Sequence, residues 1–219
     1  MSGPTQSRAD DSPVARRPTT HERRAGQAWD ASYVDGPAPW DTGRPQPAIR
    51  RLAGEGAFAG AVLDAGCGTG ENTLHVAALG LRVLGVDVAE TAVAIARENA
   101  AARGIPAEFV VADALDLARL ERTFDTVLDC GLFHAFDGDE RRDYVASLTS
   151  VTRRGARLCL LCFSDAGPDC GPHPVSQAEL RAAFAPDSGW SVASIRPDRC
   201  ETRFAADGVP AWLAQIERV

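Results

Sequence analysis

From residue 61 onward the chain alternates between two textures of hydrophobic and polar positions. Short apolar runs, AVLDA, RVLGVDV, EFVVADA, FDTVLDC and ARLCLLCFS, are separated by stretches with helical spacing, ENTLHVAALG, AETAVAIARENAAARG, LDLARLE and ERRDYVASLTSVT. The apolar runs are continuous and do not alternate, as strands do when helices cover both faces of their sheet. In AETAVAIARENAAARG, Ala92, Ile95, Ala96 and Ala100 share one face, and Gly104 supplies the stop. This rhythm predicts an α/β fold built on a doubly wound, mostly parallel sheet. After Ser164 it breaks into DAGPDCGPHPV, a Pro/Gly loop. SQAELRAAF then reads as a helix opened by a Ser176–Glu179 capping box, and GWSVASIRP and AWLAQIERV as closing strands. No internal repeat is visible.

Upstream of the first strand the texture is different. Residues 1–22 are rich in Ser, Pro, Thr, Asp and Arg with almost no large apolar side chain, and are expected to be a disordered tail. The folded domain is expected over residues 23–219. Its first part, 23–56, holds QAWDASYVDGPAPWDTG, where Trp29, Tyr33 and Trp40 are interleaved with Gly and Pro. That segment cannot form one long helix, yet it carries too much aromatic area to stay solvated. PQPAIRRLAGEG follows as a short helix ended by Gly54 and Gly56.

Composition narrows the class. The 219 residues suffice for one α/β domain with its own core, and 45% hydrophobic with 24% charged residues is ordinary for a globular chain. The formal net charge is −7, and all 23 basic residues are arginine, which reads as codon bias. An acidic chain without a basic stripe is a poor nucleic-acid binder. No apolar run approaches a membrane span, and the N-terminus has no apolar signal core, so a cytoplasmic protein is expected. Cys159 and Cys162 in LCLLC suggest a metal site, but ARLCLLCF reads as a buried strand, and residues three apart on a strand face opposite sides. No second pair at ligand spacing completes one, so they read as small buried hydrophobes and no metal is expected. The oligomeric state is left open.

The chemistry gathers at LDAGCGTG, residues 63–70, where the first strand turns into a helix. Ligands of open α/β sheets bind in the crevice beyond such strand ends. Gly66 and Gly68 admit positive φ and close backbone approach, and Asp64 stands two residues before them. A second acid, Asp87, ends the next strand 21 residues after Gly66, the spacing of a carboxylate that accepts from both ribose hydroxyls. Asp113 ends the third strand, where it meets an adenine amino group. Three acids at three successive strand ends describe a nucleoside site. A nicotinamide cofactor prefers G-x-G-x-x-G and a pyrophosphate, whereas the spacing here is G-x-G-x-G and Asp64 would repel that phosphate. The acid suits a cationic ligand, S-adenosyl-L-methionine, with an adenosine, an ammonium, a sulfonium and no phosphate. A nicotinamide-dependent oxidoreductase and a non-catalytic cofactor binder are the competing classes.

The runs VLDAGCGTGENTLHVA, GVDVAETAVAIARENA, FVVADALDL and FDTVLDCGLFHAF strongly resemble class I S-adenosylmethionine-dependent methyltransferases, over roughly residues 26–219. PWDTGRPQPAI, DCGLFHAF and GPHPVSQAELRAAF are similar to a narrower small-molecule group, that of the thiopurine, thiol, tellurite-resistance and heterocyclic-toxin methyltransferases. The resemblance implies a seven-stranded sheet whose last strand, AWLAQIERV, is antiparallel. It implies that Asp64, Gly66, Cys67 and Gly68 wrap the methionine part of the cofactor, that Asp87 and Val88 hold the ribose and adenine edge, and that Asp113 and Ala114 hold the adenine. Asp129 to Gly131 would close the methionyl end, and Trp40 would cover the cofactor as part of an N-terminal lid. The chain lacks the [DN]-P-P-[YFW] motif used on exocyclic amines of bases, which argues against nucleic-acid methylation.

Methyl transfer from a sulfonium is an in-line displacement for which the cofactor carries the activation and the protein supplies alignment. A base is needed only for a protonated nucleophile. His134, in GLFHAF past the fourth strand, is the candidate, either as base or as a group that orients the acceptor; a packing role is the bland alternative. Trp29, Tyr33, Phe133 and Phe136 are candidate walls of an aromatic acceptor pocket, with His173 and Cys170 on the far side, unless their loop is a plain crossover. The expected acceptor is a small aromatic or heterocyclic molecule methylated on O, S or N, with an aliphatic thiol, a halide or tellurite as the alternative.

Overall fold

The computed structural model describes residues 16–167 and 172–219. Seven strands form one sheet: β1 (Ala61–Ala65), β2 (Arg82–Asp87), β3 (Glu108–Val111), β4 (Phe124–Cys130), β5 (Thr152–Phe163), β6 (Trp190–Cys200) and β7 (Val209–Arg218). Their order is β3-β2-β1-β4-β5-β7-β6. The β1–β2, β1–β4, β2–β3 and β4–β5 pairs are parallel, and β7 runs antiparallel to both β5 and β6. This is the doubly wound, mostly parallel sheet with an antiparallel last strand that the strand–helix rhythm and the family resemblance imply.

The described residues form seven α-helices: α1 (Thr20–Ala25), α2 (Ala31–Val34), α3 (Pro47–Gly54), α4 (Glu71–Ala77), α5 (Glu90–Arg103), α6 (Gly138–Ser150) and α7 (Gln177–Ala183). Leu63, Ala65, Leu84, Val86 and Val127 point to one face, where Tyr144 and Leu148 of α6 and Leu180 of α7 cover them. Val62, Val83 and Leu128 point to the other, against Ile49 and Leu52 of α3 and Val76 of α4. Neighbouring strand residues thus enter separate cores, which is why the strand sequences read as unbroken apolar runs. Cys159 and Cys162 divide the same way, one into each core, as free thiols.

Several elements differ from expectation in detail. On α5 the buried face is Ala92, Val93, Ala96 and Ala100, with Ile95 only half-buried. The α6 helix stops at Ser150, and Thr152 already begins β5, because the β-branched residues after it pair with Phe124 of β4. LDLARLE forms a 3₁₀ stretch, Ala114–Leu120. Ser176 and Glu179 make the reciprocal capping box the sequence predicts for α7.

The N-terminal boundary requires a correction. Residues 16–22, assigned from composition to a disordered tail, are built into the fold. Thr19 caps α1 through a reciprocal box with Glu22, and both side chains are buried. The segment docks through polar groups: Thr20 N–H donates to Glu140 Oε1 at 2.5 Å and Thr20 Oγ1 to Asp137 Oδ2 at 2.6 Å, at the start of α6. A criterion that counts apolar side chains is blind to such anchoring.

Candidate active site

The carboxyl ends of the parallel strands open into a cavity of about 400 Å³, where the strand order reverses between β1 and β4. Its floor is the turn from Gly66 to Thr69. Gly66 and Cys67 N–H donate to Val86 O at 2.8 and 2.9 Å, folding the turn back over β2. Gly66 and Gly68 have φ of 74° and 52°. A Cβ at Gly66 would lie 3.0 Å from Leu132 Cβ, and one at Gly68 3.2 Å from the Tyr33 hydroxyl. The turn therefore needs glycine for its backbone and for the close approach of its neighbours.

Asp87 stands beside this turn in the cavity wall. Its Oδ2 accepts from Gly68 N–H and its Oδ1 from Ala89 N–H, both at 2.9 Å. Burial raises its pKa against the pull of these donors. Each oxygen retains acceptor capacity for a ligand hydroxyl. Asp113 also lines the cavity, with Oδ1 accepting from Leu115 N–H at 2.9 Å and its pKa raised by burial. Val88 and Ala114 line the same cavity.

Asp64 and Asp129 do not line the cavity, contrary to what the resemblance implies for them. Both are penultimate residues of their strands, and the following helix covers each side chain. Asp64 accepts from Thr73 Oγ1 of α4 at 2.5 Å. Asp129 accepts from Leu132 N–H at 3.0 Å, Phe133 N–H at 3.3 Å and the Tyr144 hydroxyl of α6 at 3.0 Å. Burial pushes both carboxyls up to about 7. They shape the loops around the site without facing it. Cys130 and Gly131, the other members of that group, do line the cavity.

The N-terminal segment crosses over the opening. Asp30 accepts from Thr91 N–H and Oγ1 of α5, at 2.7 and 3.0 Å. Asp41 accepts from Thr69 Oγ1 at 2.7 Å. Gln46 N–H donates to Asn72 Oδ1 at 2.9 Å, at the start of α4. Between these anchors Trp40 Nε1 donates to the Tyr33 hydroxyl at 3.0 Å, and its ring meets Trp29 edge to face at 5.6 Å. Tyr33 thus sits on the glycine turn, not at the acceptor end where it was expected. Farther upstream, His21 stacks on Trp29 at 4.6 Å. Burial alone would raise the pKa of Glu22, but the Arg16 guanidinium and the Thr19 and Trp29 N–H groups outweigh it and hold the carboxyl at about 2. Arg16, Thr19, His21 and Asp41 all reach the cavity wall. Sequence reasoning missed all four. The Asp in PWDTG was a visible signal for one; nothing local marked the others.

The wall also carries apolar and sulfur-bearing groups: Cys130, Phe136, Phe163, Pro172, Cys200, Phe204 and Trp29. Phe133 is not among them. It is fully buried, between Tyr144 and Phe184 with the Arg141 guanidinium 5.0 Å from its ring, so it is core. His173 is also absent from the wall; its carbonyl accepts from Arg141 at 3.0 Å. Cys170 lies outside the described residues. His134 does reach the cavity. Its Nδ1 accepts from Phe163 N–H at 3.2 Å, and its ring stacks on Phe163 at 4.1 Å and 13°. Burial, with Arg141, His173 and His21 nearby, pushes its pKa down to about 3.

Among the described residues, no cluster of three or more His, Cys, Asp or Glu could hold a metal, and no helix is long and apolar enough to cross a membrane. The wall does fit an adenosine-bearing sulfonium. Two half-buried carboxylates with free acceptor capacity, Asp87 and Asp113, line the same cavity, and Asp41 adds a carboxylate beside the glycine turn.

Comparison with known proteins agrees. Residues 62–155 match a family model described as a methyltransferase domain. The 2-heptyl-1-hydroxyquinolin-4(1H)-one methyltransferase of Mycobacteroides abscessus is 39% identical over 74% of this chain and 72% of its own length. A probable thiol methyltransferase of Arabidopsis thaliana is 30% identical over 76% of this chain and 75% of its own. A protein solved in work on the conversion of a disulfide bond into a thioacetal group during echinomycin biosynthesis superposes with a TM-score of 0.75. It is 42% identical, covering 82% of this chain and 84% of that one. Magnesium protoporphyrin IX methyltransferase from Synechocystis, with S-adenosylmethionine bound, gives a TM-score of 0.60 at 28% identity, covering 78% and 76%. A sheet with this strand order, a glycine turn faced by strand-end acids and these relatives leave one assignment: the chain belongs to the S-adenosylmethionine-dependent methyltransferases.

Proposed function

We propose that this enzyme methylates an O, S or N nucleophile of a small aromatic or heterocyclic molecule. The observation that carries the proposal is the division of one cavity into two chemistries. Its lining joins the glycine turn, Asp87 and Asp113 to an aromatic set, Phe136, Phe163, Phe204 and Trp29. An apolar pocket with few polar groups suits a flat, weakly polar acceptor. The hydroxyquinolone in one relative's name is of this kind.

In this reading Asp87 holds the ribose hydroxyls, with Val88 against the adenine edge, and Asp113 and Ala114 face the adenine. Gly66, Cys67 and Gly68 lie along the methionine chain. Asp41, not Asp64, supplies the carboxylate that suits its ammonium. Trp40 and Tyr33 close over this half. The bound cofactor supplies an activated methyl group and a neutral thioether leaving group. The chain's own contribution is to align the acceptor and exclude water, and positioning of that kind is worth roughly 7–11 kcal/mol of a barrier. The strap from Arg16 to Gln46 and the aromatic wall do both.

The test is turnover on a panel of phenols, hydroxyquinolines, aromatic thiols and aliphatic thiols, followed by mass spectrometry and release of S-adenosylhomocysteine. Gain of one methyl by the aromatic members is expected. Turnover confined to aliphatic thiols or halides would overturn the aromatic assignment.

A further inference from the structure

We infer that the enzyme takes its acceptor already ionised, as an aromatic oxyanion or thiolate, and that His134 receives it as a hydrogen-bond donor and not as a base. The inference deepens the reading above and rests on it.

The argument starts from one backbone group. A peptide N–H can only donate, and Phe163 N–H points at His134 Nδ1 from 3.2 Å. Nδ1 must therefore offer its lone pair, which places the ring proton on Nε2. Nε2 has no partner among the described residues and is the ring nitrogen left for the cavity, whose wall includes His134. A histidine that serves as a base has the reverse wiring: its rear nitrogen carries the proton and gives it to a carboxylate, leaving the front nitrogen bare. Here the rear nitrogen accepts and the front nitrogen donates.

The surroundings enforce that state. The charged and titratable groups whose fields act on the ring are Arg141 on α6, His173 after β5 and His21 on α1. The thiol of Cys130 stands in the same wall, held protonated by its contact with Cys200 and by burial. None of these is a carboxylate that would stabilise an imidazolium. The stack on Phe163 fixes the ring plane, and turning the ring over within that plane to present Nδ1 would break the hydrogen bond and leave the buried Phe163 N–H without its acceptor. The acceptor's proton thus leaves to water before transfer. The oxyanion or thiolate then displaces the thioether: one bond from O or S to the methyl carbon forms as the carbon–sulfonium bond breaks, and no proton moves in that step. His134 is an acceptor-binding group chosen for negative charge, and it disfavours cationic and neutral amine acceptors that offer it no lone pair of comparable strength.

Binding gives a readout separate from turnover. With S-adenosylhomocysteine in the cavity, 4-nitrophenol and thiophenol should show their ionised absorbance at lower pH than in water. His134→Phe, which keeps a stacked ring but no donor, should remove that shift and cut kcat/KM about 10- to 100-fold, the value of a hydrogen bond to a charged partner. His134→Gln, which restores a donor and cannot be a base, should recover most of the loss. Across phenols of graded acidity, the pH midpoint of kcat/KM should follow each acceptor's own pKa. A midpoint fixed at one enzyme value, or His134→Gln as inactive as His134→Phe, would overturn the inference while leaving aromatic methyl transfer intact. If no panel member binds or is methylated although S-adenosylhomocysteine binds, the aromatic acceptor reading itself fails, and the inference with it.

Discussion

Four aspartates stand at the carboxyl ends of four neighbouring strands, and they divide into two pairs. Asp64 of β1 and Asp129 of β4 are buried under helices and bonded to Thr73 and Tyr144. Asp87 of β2 and Asp113 after β3 line the cavity. In sequence the four look alike, each an acid closing an apolar run. The difference is one position along the strand for Asp87 and three for Asp113. The inner pair are penultimate residues, whose side chains still point from a sheet face into the helix that covers it. Asp87 is the last residue of its strand and Asp113 lies two beyond its own, so both project off the sheet's edge into the crevice. Location at a strand end is thus too coarse a criterion for a ligand contact; the covering helix decides.

The comparison can be broken by mutation. The largest effect should come from Asp87→Ala. Its carboxylate would receive two ribose hydroxyls, and hydrogen bonds to a charged group are worth about 1.5–3 kcal/mol each, so the KM for S-adenosylmethionine should rise about 100-fold or more. A rise below threefold would move the ribose elsewhere.

Glu22→Gln should have a smaller effect, about threefold to tenfold on the same KM, because Arg16 is partly solvent-exposed and its pairing is screened. The pH dependence has a definite sign. An ordinary glutamate titrates near 4.3, and Glu22 in the folded chain at about 2. The anchoring it supplies is therefore complete above the ordinary value and is lost as pH falls towards 2. Proteolysis within residues 16–29 should accelerate over that interval in the wild type and show no such onset in the variant.

The smallest effect concerns the inner pair. With Asp129 raised to about 7 by burial, the folded chain binds its proton more tightly than the unfolded chain does. Its contribution to stability is full below about pH 4 and is lost as pH rises through 7. Asp129→Asn, neutral throughout, should flatten that part of the Tm-against-pH curve while retaining acceptance from Leu132 and Phe133 N–H. A variant curve parallel to the wild type would show that Asp129 is ionised in the fold.

What was legible in the sequence follows the same division between local and distant construction. Strand β1 and β4 boundaries, the α7 cap and the glycine turn are written in contiguous residues, and the apolar rhythm locates them. The cofactor half is legible because Gly66, Gly68, Asp87 and Asp113 recur at fixed offsets from strand ends. The acceptor half is not, since Phe163, Cys200, Phe204 and His21 meet only after the chain has closed on itself. Phe133 and Phe136 illustrate the limit. They lie three apart in GLFHAF, and around the 3₁₀ turn over Phe133–Ala135 both pack on Tyr144 in the core, while Phe136 of the two also lines the cavity. The strap was underestimated because its anchors are polar.

The central claim, that the outer acids hold the cofactor and the inner acids hold the scaffold, is tested most directly by calorimetric titration with S-adenosylhomocysteine. Wild type, Asp87→Ala and Asp129→Asn would be titrated side by side near neutral pH, each checked for an intact fold by circular dichroism. The account predicts a dissociation constant raised about 100-fold or more in Asp87→Ala. In Asp129→Asn it should stay within about threefold of wild type, since the acid makes no contact with the cavity and hydrogen bonds to Leu132 and Phe133 survive. Equal losses in the two folded variants would contradict it.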